Sequence, residues 1–215
     1  MTSRGYLCGA IAVAAALWFY MFSPWTAGLT NFWLTMAFAA VVLTSLALFF
    51  TRGAALRGLE CEKPLLQVLL GIVIAFALWG IFWIGDKLSS LMFDFARPEV
   101  DAVYSMKDGF PVWVIALLLL FVVGPAEEFF WRGFVQKQIA LHTASHRRCA
   151  DIAFIVTLAI YALVHIWSLN FMLVMAALVA GAVWGLLYRL RPGLLPALVV
   201  SHALWDALVF VILPI

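Results

Sequence analysis

Two adjacent carboxylates and a guanidinium stand in "VVGPAEEFFWRGF", Val122 to Phe134, directly after the apolar run "VWVIALLLLF". Farther along, "IYALVHIWS" carries His165, and "VVSHALWDAL" carries His202 and Asp206. These are residue types that can carry protons, ligate a metal or form ion pairs, and in lipid they need a reason to be there. Spacing sorts them further. Glu128 and Arg132 are i,i+4 neighbours in the order that suits an ion pair, so Arg132 can hold Glu128 as its anion. Glu127, rotated about 100° around the same helix, faces elsewhere. His202 and Asp206 are also i,i+4 and share one face. Pro125 cannot donate to the carbonyl of Phe121, which opens or kinks its helix one turn before the acids.

The elements that position these residues must live in lipid. Hydrophobic residues make up 67% of the 215-residue chain, charged residues 11%, and the mean hydropathy is +1.09. A soluble domain carries about 45–50% apolar and about 25% charged residues. The expected fold is therefore all-α, a polytopic transmembrane bundle. Stretches long enough to cross the hydrocarbon core fall at about 6–22, 28–50, 65–85, 110–136, 152–168, 171–188 and 194–213. Arg4 before an apolar run is also the pattern of a secretory signal, but the run is long and six spans follow, so a retained helix is favoured.

Charge sets the expected orientation. With the N-terminus inside, the inside segments hold Arg4, Arg52, Arg57, Lys63, Arg132, Lys137, Arg147, Arg148, Arg189 and Arg191; the outside loops hold only Lys87, Arg97 and Lys107. The positive-inside rule then puts the N-terminus in the cytoplasm. The longest outside loop follows the third span, and its "LSSLMFDF" reads either as a short surface helix or as an ordered loop. Cys8, Cys61 and Cys149 show no C-x-x-C spacing and no disulfide framework. Gly181 and Gly185 form a G-x-x-x-G, a packing feature that permits close helix approach.

Counted from the inside ends, Glu127, His165 and His202 lie roughly 15, 21 and 14 Å deep at 1.5 Å per residue. Each has a plain explanation alone: His165 as a buried hydrogen-bonding group, Glu128–Arg132 as an interhelical staple, Asp206 as a packing hydrogen bond. A charge at mid-membrane costs about 2.5–3.5 kcal/mol by insertion scales, so the set together marks a functional site. Alternatives remain open at this level. The same residues suit a proton or ion path in a transporter, although such proteins show paired interrupted helices in two halves. Two histidines and a glutamate also suit zinc, with Glu127, His165 and His202 as ligands, but H-E-x-x-H is absent. His142 and His146 sit in a basic loop without a nearby acid. "WIGD" has Trp83 where a presenilin-type Gly-x-Gly-Asp needs glycine, and there is no Gly-x-Ser-Gly of the rhomboid kind.

Taken in order, Glu-Glu-x-x-x-Arg at Glu127, Glu128 and Arg132, aromatic-x-x-x-His at Tyr161 and His165, and His-x-x-x-Asp at His202 and Asp206 resemble the CPBP family. These are the CAAX prenyl proteases and bacteriocin-processing enzymes, also called Abi proteins or glutamic-type intramembrane proteases. Tyr161 stands where the family usually has Phe, and Asp206 where Asn is commoner. The resemblance covers about 110–210. It divides the chain into a motif-bearing four-span core, 110–215, and a region 1–109 of three spans and the long loop without such motifs. It implies an intramembrane endopeptidase with no required cofactor, in which Glu127 and His165 activate a water. His202 and Asp206 would stabilise the oxyanion, with Asp206 alternatively orienting His202, and Glu128 and Arg132 would support them. A zinc-dependent version is the competing mechanism; a non-catalytic immunity or scaffold role is also known in the family. The implied partners are a protein or peptide substrate and the bilayer, not nucleic acid. The chain resembles the compact prokaryotic members of the family, which implies the cytoplasmic membrane of a prokaryote and, by analogy, a membrane-anchored or exported substrate that loses a hydrophobic C-terminal tail.

Overall fold

The computed structural model describes residues 2–215. The chain is 84% helical, and the described residues contain no strand. Among the described residues, seven helices are long and apolar enough to cross a membrane: α1 (Arg4–Phe22), α2 (Phe32–Thr51), α3 (Pro64–Met92), α5 (Val112–His142), α6 (Cys149–Ser168), α7 (Phe171–Leu190) and α8 (Pro192–Ile212). A shorter helix, α4 (Ala96–Ser105), lies between α3 and α5. The protein is a multi-pass membrane protein. Its burial pattern inverts that of a soluble domain: Phe49, Phe121 and Leu91 are 73–85% exposed, while Glu128 and Arg132 are 0% and 1% exposed.

Local signals set the helix ends. The side chains of Ser3, Asn31 and Asn170 accept the first free N–H groups of α1, α2 and α7, the usual N-cap bond. Pro64 starts α3, where its missing N–H costs nothing. Arg52 and Gly53 end α2 in left-handed conformation, at φ 51° and 77°.

Two helices run beyond their expected limits. α3 continues to Met92, so "LSSLM" extends a span, and the next helix starts four residues later at Ala96. Leu88, Leu91 and Met92 are exposed and carry the apolar surface of α3 onward. Arg97 and Asp101, i,i+4 on α4, pair at 2.6 Å. Around Pro125, α5 changes pitch without breaking: Leu119–Val123 and Phe129–Gln136 are π-helical, and the N–H of Gly124 bonds the carbonyl of Leu119. A π turn absorbs a missing i→i−4 bond within a continuous helix.

The two ends of the bundle are closed differently. At one end α4 is strapped down. Asn170 Nδ2 donates to the Glu99 carbonyl at 2.8 Å, Met172 N–H donates to the Glu99 carboxylate at 2.8 Å, and Tyr104 OH donates to the Val209 carbonyl at 3.0 Å. At the other end, the Thr2 amide donates to Gln138 and Gln67 donates to the Gly193 carbonyl. Between them α8 is the central helix, packed along α3 on one side and α5 on the other.

Glycine permits both contacts. A Cβ on Gly71 of α3 would lie 2.7 Å from the Ala197 carbonyl oxygen, and one on Gly124 of α5 would lie 2.6 Å from Ala203 Cα. Both obstacles are backbone or rigid branch points, so the helices themselves must move. Gly124→Ala is expected to destabilise the protein by about 1–3 kcal/mol, the usual cost of overpacking. Thermal unfolding in detergent measures it; an unchanged transition would show that α5 and α8 separate freely.

Candidate active site

α5, α6 and α8 bring the motif residues together in two layers. The inner layer is sealed. Glu128 Oε1 accepts from Arg132 Nη1 at 2.7 Å and lies 2.9 Å from His202 Nδ1. One buried carboxylate oxygen thus joins α5 to α8. The same guanidinium donates through Nη2 to the Gly181 carbonyl of α7 at 3.2 Å. Aromatic rings complete the shell: the Arg132 guanidinium carbon lies 4.9 Å from the Tyr161 ring and 5.6 Å from that of Trp184. His202 stacks on Trp184 with centroids 3.9 Å apart, and Trp184 Nε1 donates to Ser201 Oγ.

The G-x-x-x-G of α7 therefore does more than pack. Arg132 and Gln136, i,i+4 on α5, donate to the carbonyls of Gly181 and Gly185, also i,i+4. A Cβ on Gly181 would sit 2.8 Å from the Tyr161 ring. Only a helix without side chains there lets two polar groups reach its backbone while an aromatic ring lies alongside.

The outer layer faces a cavity of about 410 Å³ lined by Glu127, Tyr161, His165, His202 and Asp206 among mostly apolar neighbours. As its rotation about α5 implies, Glu127 points away from Arg132. Its Oε2 accepts from Tyr161 OH at 3.1 Å; no other protein hydrogen bond reaches this carboxylate among the described residues. His165 Nδ1 lies 2.7 Å from the Tyr161 carbonyl, which can only accept, so Nδ1 carries the hydrogen. Its Nε2 accepts from the indole N–H of Trp18, on α1, at 3.1 Å.

All four candidate catalytic residues thus line one cavity. The partnerships differ from expectation in two respects. Asp206 Oδ2 is 3.5 Å from His202 Nε2, long for a hydrogen bond, so Glu128 makes the closer contact to that ring. Tyr161, a departure from the usual Phe, contributes both its hydroxyl to Glu127 and its carbonyl to His165.

Trp18 and Trp184 escaped the sequence reading because aromatic residues abound here and their ring edges are set only by tertiary packing; Tyr161 stood in its motif, but its hydroxyl contact to Glu127 was not foreseen. The matched i,i+4 spacing of Arg132–Gln136 and Gly181–Gly185 was a usable signal. Asp86, in the dismissed "WIGD", is buried at the cavity wall and pairs with Arg97 and Lys87 at 3.3 Å. His142 and His146 stand apart from the cavity.

Zinc on Glu127, His165 and His202 would displace the Trp18 indole from Nε2 of His165, as a water held there also would. Trp18 holds Nε2 of His165, and both ring nitrogens of His202 face carboxylates. Among the described residues no three His, Cys, Asp or Glu side chains are grouped to hold a metal ion.

Comparison with known proteins bears on the same region. Residues 109–208 match the family model described as type II CAAX prenyl endopeptidase Rce1-like. This is a family of proteases, and the match falls on the four-span core that carries the three motifs. The comparisons with curated proteins and with solved structures returned no match.

The inner layer generates a stability prediction. Breaking a buried ion pair by removing one partner costs about 3–5 kcal/mol, because the other charge stays buried. Glu128→Ala strands Arg132 and loosens His202, whereas Glu127→Ala removes one hydrogen bond at a cavity wall. Glu128→Ala is therefore expected to lower the unfolding temperature in detergent far more than Glu127→Ala. Equal shifts would remove the inner layer from the forces holding α5, α7 and α8 together.

Proposed function

We propose that this membrane protein, whose residues 109–208 belong to the Rce1-like family of type II CAAX prenyl endopeptidases, is itself an intramembrane endopeptidase. It hydrolyses a peptide bond in a membrane-associated protein or peptide, near a hydrophobic C-terminal tail, in the cytoplasmic membrane of a prokaryote. One observation carries the reading: Glu127, His165, His202 and Asp206, from three spans, face one cavity inside an apolar bundle.

The steps follow from the side chains. Glu127 is the general base. Tyr161 OH holds its Oε2, leaving the other oxygen to take a proton from water. His165 holds the same water through Nε2, where the water replaces the Trp18 indole as donor. The water oxygen bonds the scissile carbonyl carbon, and the carbonyl oxygen becomes an oxyanion. Nε2–H of His202, protonated on both ring nitrogens between Glu128 and Asp206, swings from Asp206 to stabilise that charge, with Nδ1–H anchored on Glu128. As the C–N bond breaks, Glu127 returns its proton to the leaving amine, and a carboxylic acid and an amine are released. No metal takes part in this scheme.

The geometry supports a division of labour. A buried ion pair next to an active carboxylate would compete for the same donors unless the two acids pointed apart, and adjacent positions on a helix ensure that they do. The water-poor surroundings strengthen each fixed donor relative to its worth in bulk water.

Four substitutions test the reading. Glu127→Ala and His165→Ala are each expected to abolish cleavage with membrane insertion intact. His202→Ala, which removes the oxyanion donor, is expected to lower kcat by about 10²–10³-fold, the typical loss for such a group. Quantitative proteomics of membranes with and without the active chain supplies the readout, as one or more precursors left uncut. Near-normal processing by Glu127→Ala would overturn the assignment of the base. Cleavage that stops with a strong chelator and returns with zinc would overturn the metal-free scheme. Tyr161→Phe restores the family's usual residue but removes the hydroxyl on Glu127, and is expected to reduce kcat with KM unchanged.

A further inference from the structure

The cavity reaches only one end of the bundle. Its wall is drawn from the halves of the spans nearest α4, including Phe22 of α1, Phe32 of α2, Ser89 of α3, Phe171 of α7 and Phe210 of α8, with Val103 of α4 itself at the rim. Among the described residues, none from the connections at 52–63, 143–148 or 191–194, which close the opposite end, lines it. Any group reaching Glu127 and His165 through this cavity therefore enters from the α4 half of the bundle.

The two ends differ sharply in charge. Nine of the 13 lysines and arginines lie at the closed end, from Arg4, Arg52 and Arg57 to Arg189 and Arg191, against Glu60, Glu62 and Asp151. Arg132, the tenth residue expected on that side, is buried against Glu128 and belongs to neither surface. The α4 end, from Asp86 to Asp108, carries three basic and five acidic residues. Lysine and arginine near the ends of spans are retained on the cytoplasmic side during insertion, whereas acids contribute little to the choice.

Resting on the peptidase reading, we infer that the cavity opens on the face of the membrane away from the cytoplasm, and that the substrate is an apolar segment of an exported or translocated protein. Apart from Asp86, Ser89, Tyr104 and the site residues, the wall is built from aromatic and aliphatic side chains. It suits a stretch of large apolar residues whose scissile bond lies in the outer half of the bilayer. A chain ending in the cytosol would have to cross the basic, closed end to reach Glu127.

Thiol accessibility in the full-length protein tests this directly. In a background with Cys8→Ala and Cys149→Ala, one variant keeps Cys61, which is exposed at the closed end. A second combines Cys61→Ala with Ser89→Cys at the cavity wall. The probe is a charged, membrane-impermeant thiosulfonate, applied to intact spheroplasts and to inverted membrane vesicles. The expected result is modification of Ser89→Cys in spheroplasts only and of Cys61 in inverted vesicles only. Modification of Ser89→Cys from the cytoplasmic face, from both faces or from neither overturns the inference, as does modification of Cys61 in spheroplasts. The readout is independent of catalysis. Retained proteolysis by Glu127→Ala would sink the peptidase reading and leave the labelling pattern unchanged; the reversed pattern would leave a peptidase of opposite access.

Discussion

The fold of the C-terminal half depends on a single carboxylate oxygen. Glu128 Oε1 faces both the Arg132 guanidinium and the His202 ring with almost no solvent around it. In a bundle whose surface and interior are both apolar, van der Waals packing leaves helices free to slide and rotate. A charge cluster does not, because each misaligned geometry leaves a desolvated ion without its partner. The depth and rotation of α5 and α8 are fixed at this point. The second hand of the same guanidinium, on the Gly181 carbonyl, fixes α7.

From that anchor the site follows by helical geometry. Placing Glu128 inward turns the preceding residue toward the space between α5, α6 and α8. Placing His202 against Glu128 turns Asp206, one turn on, to the same side. His165 is brought in by a different device, the end of a regular helix: α6 gives way to a 3-10 turn at His165, and Leu169 then adopts left-handed φ. The chain reverses quickly there, leaving the imidazole against α1 and the carbonyl of Tyr161.

Much of this was legible in the sequence. Hydropathy gave all seven spans, and i,i+4 spacing gave the Glu128–Arg132 pair and the shared face of His202 and Asp206. The end of α3 was not legible, because a lipid-facing helix has no period that marks where it stops; apolar residues simply continue past the expected boundary. Hydrogen bonds from aromatic edges were hidden for a related reason. Ten tryptophans occur in the chain, and nothing in their spacing distinguishes Trp18 and Trp184 from those that meet lipid. The partnership of Glu128 with His202 also needed the fold, since two residues 74 positions apart share no local pattern.

The position of Trp18 also bears on modularity. The family match begins at residue 109, yet the last nitrogen of His165 is satisfied by an indole from α1, and Phe22 packs beside the same ring. The motif-bearing half is therefore not a portable unit that could be grafted onto an unrelated set of leading helices. Whatever sequence replaces α1 must rebuild a wall around one imidazole, so divergence in the leading spans is constrained at a few buried contacts even where no shared motif advertises it.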